Sequence, residues 1–237
     1  GNTTDYGPLP WDPEKNDGKG GAAPHPLQTW LLESDEIFEA KQKFADPRFA
    51  PGGESKFPFE HTFGPLSRVP AGGWCYRNGT PFRYESENDR DPMPDEMTAA
   101  YGEKILSSEQ ERPFFLALGL VRPHTPLYVP DAYFEMFPPD SIELPPVLEN
   151  DLDDCAPSLV ASRPYARLRW EMIKQGGEPL WRQWLQAYLA SVAFADAQFG
   201  RILDALENGP HAEDTLVIFT SDNGYHMGQK ECLFKNT

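Results

Sequence analysis

The run Thr215-Leu-Val-Ile-Phe-Thr-Ser-Asp-Asn-Gly-Tyr-His-Met-Gly-Gln-Lys230 constrains this chain more than any other stretch. A short β-branched and apolar segment with no polar alternation reads as a buried strand of an α/β sheet. Open α/β sheets take their ligands at the carboxyl ends of such strands. Asp222 and Asn223 stand at that end. Side by side they offer hard oxygens, which suit a Ca²⁺ or Mg²⁺ ion. Gly224 lets the backbone turn at once. Lys235 follows thirteen residues after Asp222, near enough to return as a cation beside the same place. By itself Asp-Asn-Gly reads first as turn chemistry; its weight as a metal pair comes from what accompanies it.

Two further segments accompany it in order. Pro113-Phe-Phe-Leu-Ala-Leu-Gly-Leu-Val-Arg-Pro-His124-Thr-Pro-Leu-Tyr-Val-Pro is an apolar strand running into a proline-rich loop with Arg122 and His124. Gln186 to Leu206 is helical in its periodicity and leads toward the Leu216–Phe219 strand. The segment from Phe219 to Lys235 resembles the C-terminal metal-and-sulfate motif of the type I, formylglycine-dependent sulfatases. The Arg-Pro-His loop resembles its counterpart in the same family, particularly in the iduronate-2-sulfatase-like branch. The Gln186–Leu206 helix resembles the one that precedes the metal strand.

The resemblance implies an alkaline-phosphatase-like, layered α/β fold with a central, mostly parallel sheet between helices, incomplete in these residues. Strands 113–121 and 215–220 are expected as parallel neighbours or near neighbours, with both loops at one sheet edge. Residues 1–237 are expected to be part of a single catalytic domain, with 1–90 a loop-rich excursion and 91–237 the α/β part that carries the site loops. The resemblance assigns Asp222 and Asn223 to one divalent cation, usually Ca²⁺. It points Lys235 at the sulfate and sets His124 beside the bridging or leaving oxygen. Arg122 is a candidate for helping to hold an anionic substrate, against a structural ion pair as the equal alternative. His226 is a candidate substrate-side group. Lys230 competes with Lys235, but its offset from Asp222 does not match the family.

The family's nucleophile is a Cys or Ser oxidised to formylglycine within a Cys/Ser-x-Pro/Ala-x-Arg motif. Cys75, Cys155 and Cys232 are the cysteines here, and none is followed by that motif. The resemblance therefore implies an internal piece of a larger sulfatase, with the formylglycine and the remaining metal ligands upstream. A formylglycine-generating enzyme is then an expected partner of the parent, and the isolated chain is expected to be inactive. The expected substrate is a sulfated small molecule or glycan, and the family points to a periplasmic, extracellular or lysosomal setting. The alternatives are a phosphonate or phosphate ester hydrolase of the same superfamily and a non-catalytic protein that binds sulfated glycans.

A formal net charge of −16 argues against general nucleic-acid or anionic-membrane binding. An anionic substrate on so acidic a chain needs a local cation, which a metal ion and a lysine can supply. No run is apolar and long enough to span a membrane as a helix. Three cysteines without metal-type spacing argue against zinc, and three unpaired small side chains are the plainer reading.

Along the chain, Glu33–Phe44 reads as a helix. So does Asp95–Leu106, with acids in its first turn where the helix dipole favours them. Asp131–Phe137 reads as a short helix stopped by Pro138-Pro139, and 145–162 as loop. Trp181–Leu206 is the longest helix, with Leu185, Tyr188, Leu189, Val192, Phe199, Ile202, Leu203 and Leu206 as its apolar stripe. Asn208-Gly209 suits its end, and Asp196 is expected to satisfy a buried hydrogen bond. The pairs Trp181/Trp184 and Phe114/Phe115 read as core. His25, His61 and His211 read as ordinary loop histidines.

Overall fold

Strand β4 (Leu127–Val129) is buried at all three residues and pairs in parallel with β1 (Phe63–Pro65), Phe63 opposite Leu127 and Pro65 opposite Val129. The computed structural model describes residues 63–68, 83–124, 127–162, 164–233 and 235. A small antiparallel hairpin joins β2 (Tyr84–Ser86) to β3 (Asp89–Arg90). The expected helix at 33–44 lies outside the described residues, as do His25, His61 and Cys75.

Helix α1 (Pro94–Leu106) starts as proline dictates, since Pro94 lacks an N–H that the first turn could not use. The Glu96 carboxylate accepts the Met93 N–H at 2.7 Å and is forked by the Arg90 guanidinium at 2.7 and 2.8 Å. Helix α2 (Asp131–Glu135) stops short of the proline pair. Helix α3 (Pro157–Ser162) forms where loop was expected. Helix α4 runs from Pro164 to Glu207, but Gly177 has φ 70°, so two helical segments meet there. The expected start at Trp181 is thus the head of the second segment, just past Pro179.

The buried residues of that second segment are Trp184, Leu185, Ala187, Ala190, Ser191, Phe194, Gln198, Ile202 and Leu206. The hydroxyl of Ser191 donates to the Ala187 carbonyl at 2.8 Å and the Gln198 amide to the Phe194 carbonyl at 3.4 Å, so neither buried polar side chain is left without a partner. Of the expected stripe, Leu185, Ile202 and Leu206 are buried, and Tyr188 and Leu189 pack against the core. Val192 and Asp196 are exposed, so Asp196 satisfies no buried bond. Small residues face the core because β4, α2 and the 225–233 segment approach closely. Beyond the helix, an added Cβ at Gly209 would come within 2.4 Å of the Leu106 carbonyl, which is why glycine ends this helix–helix contact.

The two strands expected at 113–121 and 216–219 do not form ladders with each other or with other described residues. Their apolar runs are suited to burial on both faces and pairing on both edges. The described residues supply only part of that. Along 114–120 burial alternates strictly: Phe114, Leu116 and Leu118 pack on the cluster of Ala99, Leu106 and Ile202, while Phe115 is 94% exposed. Leu216 is 85% exposed, and Phe219 touches Phe199 with ring centroids 4.5 Å apart. Phe115 is accordingly not core, whereas Trp184 is fully buried and Trp181 packs edge-on against Trp170. No helix among the described residues is long and apolar enough to cross a membrane, and Cys155 and Cys232 form no disulfide there.

Candidate functional site

The His124 loop is built around a buried charge. Asp95, in the first turn of α1 and 2% exposed, accepts the backbone N–H groups of Val121 at 2.7 Å and Arg122 at 2.9 Å. The Arg122 side chain is 4% exposed. Its Nε donates to the Tyr128 carbonyl at 3.1 Å and its Nη1 to the His124 carbonyl at 3.0 Å. The Arg122–Pro123 peptide is cis, and the His124 N–H donates to the Val121 carbonyl at 2.8 Å. Burial pulls the Arg122 guanidinium down to about 10, against the opposing pull of Asp95 and then Tyr225. Burial likewise pushes the Asp95 carboxyl up, although Arg122 and the two backbone donors resist it.

The second half of the site is an exposed tip. Ser221 to Gly224 all face solvent. The Asn223 amide donates to the Asp222 carboxylate at 2.6 Å, and the Ser221 hydroxyl to the Asn223 carbonyl at 2.8 Å. The carboxylate and the amide oxygen are donors of the hard type that Ca²⁺ takes. Two such groups are half of a shell at most, and no group of three or more His, Cys, Asp or Glu among the described residues could hold a metal ion.

After the tip the chain dives back into the core. Tyr225 packs against Tyr188 and Trp184, with centroids 5.4 and 6.3 Å apart, and Leu233 is fully buried. Lys230 has positive φ and is consumed by a clamp. Its Nζ donates to the Asp151 carbonyl, the Asp151 carboxylate and the Asp154 carboxylate at 2.8, 2.9 and 2.7 Å. Its N–H donates to the other Asp151 oxygen at 2.7 Å. Hydrogen bonds from Lys230 hold Asp151 and Asp154 below the usual carboxylate range, and the half-buried His226 adds to the pull on Asp151. Lys235 is half-buried and lies beyond this clamp.

Asp222 with Asn223, and Arg122 with His124, are therefore brought together pairwise. Asp95 and the Asp151–Asp154–Lys230 clamp were not anticipated. Asp95 showed only as a helix-start acid, because its partners lie 26 and 27 residues away. His211 is structural: its Nε2 accepts the Gln110 N–H at 3.1 Å and its ring meets Phe114 edge-on.

Parallel pairing of β1 with β4 and the helices packed around it make this a layered α/β protein of the alkaline-phosphatase-like class. Within that class the chain belongs to the sulfatase family, whose pattern matches residues 38–237. It is 39% identical over 145 residues to a sulfatase of Formosa agariphila, covering 61% of this chain and 28% of that protein. It is 31% identical over 149 residues to human iduronate 2-sulfatase, covering 58% of this chain and 26% of that protein. It is 28% identical over 138 residues to the multifunctional alkaline phosphatase superfamily protein PehA of Trinickia caryophylli, covering 55% and 27%. The chain thus spans about a quarter of the length of these relatives.

Proposed function

We propose that the protein to which these residues belong hydrolyses a sulfate ester, with a sulfated carbohydrate as the favoured substrate. The observation that carries this reading is the division of labour between the two lysines near the tip. Lys230 is locked into Asp151 and Asp154, which leaves Lys235 as the cation at the family's sulfate-facing position.

In this reading Asp222 and Asn223 hold one divalent cation, Ca²⁺, by their side-chain oxygens. When bound, that ion supplies positive charge to the oxygens of the group being transferred. A formylglycine from outside these residues, installed by a maturing enzyme, supplies the nucleophile. Lys235 binds the sulfuryl oxygens and neutralises charge that grows on them as the ester breaks. His124 delivers a proton to the departing alcohol oxygen, which needs an imidazole held at a fixed distance. His226, at the edge of the clamp, faces the substrate side.

The test is ester selectivity. The full-length matured protein should release sulfate from an aryl sulfate far faster than phosphate from the matching aryl phosphate, and the 237 residues alone should do neither. A preference for phosphate or phosphonate esters would move the protein to the other branch of the superfamily. Tight binding of sulfated glycans without turnover would make it a binding protein. Robust sulfate release by the isolated chain would put the nucleophile within it.

A further inference from the structure

The guanidinium of Arg122 is used in an uncommon way. It is almost fully buried, yet it reaches no carboxylate oxygen by hydrogen bond. Two of its donors close the loop that carries His124, one on the carbonyl of His124 itself and one on the carbonyl of Tyr128, four residues further on. The same loop is fixed at its entry by Asp95, whose two oxygens take the two successive N–H groups of Val121 and Arg122. Among the described residues, buried Arg122 Nη2 has no hydrogen-bond partner. Burying a donor in that state opposes folding. The arrangement is therefore poor as a device for stability alone. It is good as a device for geometry, since a planar fork fixes two carbonyls relative to each other where an ammonium would act as a point charge.

We propose that Asp95 and Arg122 are a positioning pair for His124, acting on the sulfate ester only through the imidazole's placement. This rests on the role given to His124 above. Asp95 anchors the backbone on the α1 side, and the Arg122 fork anchors it on the β4 side. The histidine between them is held at both ends. Arg122 then contacts no sulfate, which separates this role from direct anion binding.

A double-mutant cycle in the full-length matured protein, read as kcat and KM on 4-nitrophenyl sulfate, tests it. Arg122→Lys keeps the charge and loses the fork. It should lower kcat about a hundredfold, the scale of a misplacement of about 1 Å, and leave KM unchanged. In a His124→Ala background the same substitution should cost no further kcat. Asp95→Asn, which keeps one acceptor, should behave in the same way by a smaller factor. Three results would overturn the positioning role while leaving the sulfatase reading intact. They are losses that multiply with His124→Ala, a raised KM at unchanged kcat, and unchanged kcat in folded Arg122→Lys. Failure of both conservative variants to fold would assign the pair to stability and overturn it too. A wild-type protein inert toward sulfate esters, or a fully active His124→Ala, would overturn the underlying reading and this one with it.

Discussion

The two halves of the candidate site are built in opposite ways. The His124 loop is held from beneath by buried, charged groups: Asp95 on its entry N–H groups and Arg122 on its carbonyls. The Asp222–Asn223 tip is exposed, and among the described residues its side-chain hydrogen bonds are to its own backbone and side chains. A group that must hand over a proton at a fixed distance gains from a rigid seat. A pair that must wrap an ion gains its order when the ion and the other ligands arrive. In the proposed reading, preorganisation is given to the histidine and withheld from the pair that would hold the metal.

The sharpest way to break this comparison is to remove the support of each half and ask what is lost. Asp95→Ala leaves the Arg122 guanidinium buried without its counter-charge, which should cost roughly 3–5 kcal/mol of stability by urea unfolding. Asp222→Ala should stay within about 0.5 kcal/mol of wild type in the same assay, because the residue is exposed. Equal losses would mean that the tip is as structural as the loop.

Turnover should divide the other way. Asp222→Ala and Lys235→Ala should each lower kcat of the full-length enzyme by about 10²–10³, roughly 2.7–4 kcal/mol of lost transition-state stabilisation, with the fold intact. Stopped assays on an aryl sulfate, with Ca²⁺ titrated, give the number. Lys230→Gln should change kcat much less, since that lysine is already engaged with Asp151 and Asp154. If Lys230→Gln were the crippling variant, the two lysines would have to exchange roles.

What was legible in the sequence follows the same division. The helices α1, α2 and the second segment of α4 could be picked out by periodicity and end signals, and Asp222, Asn223, His124 and Lys235 stand out by type and order as the candidates on which the proposed function rests. Asp95 could not, since its partners are set by how α1 lies across the 121–122 backbone, and nothing in one dimension marks that contact. The apolar stripe of α4 was legible in part: Leu185, Ile202 and Leu206 are buried, and Val192 is exposed. The small residues Ala187, Ala190 and Ser191 share the buried side with Trp184, Leu185 and Phe194, and no apolar stripe drawn from large residues alone includes them. The runs at 113–121 and 216–219 have the composition of central strands, but composition cannot supply the neighbours a ladder requires.

The segment that follows the tip offers a smaller test. Gly228 has φ 120°, and an added Cβ would lie 2.9 Å from both Trp170 and Val147 side-chain atoms. Gly228→Ala should therefore cost roughly 1–3 kcal/mol, through backbone strain and overpacking together. A neutral result in thermal unfolding would show that the segment between tip and core yields easily, and that the tip is loose on both sides.

The smallest effect is a response to acid, and it separates the two halves by sign. Asp151 and Asp154 are held below the ordinary carboxylate range by their bonds to Lys230. Groups lowered by folding give stability that is complete above the unfolded value, about 3.9, and is lost as pH falls through the lower folded value. Lys230 is raised by the same partners, so its share is complete below about 10.4 and is lost only as pH climbs through its folded value. The clamp is thus indifferent to pH near neutrality and opens in acid. Asp95 has the opposite sign, because burial raises it. Its protonation favours the folded state, and its contribution grows as pH falls. Hydrogen exchange, corrected for intrinsic rates, reads both halves in one experiment. The Lys230 amide, bonded to Asp151, should lose protection below about pH 4 while the Val121 and Arg122 amides keep theirs. Simultaneous loss at all three would mean that acid unfolds the whole unit and that the clamp has no independent opening.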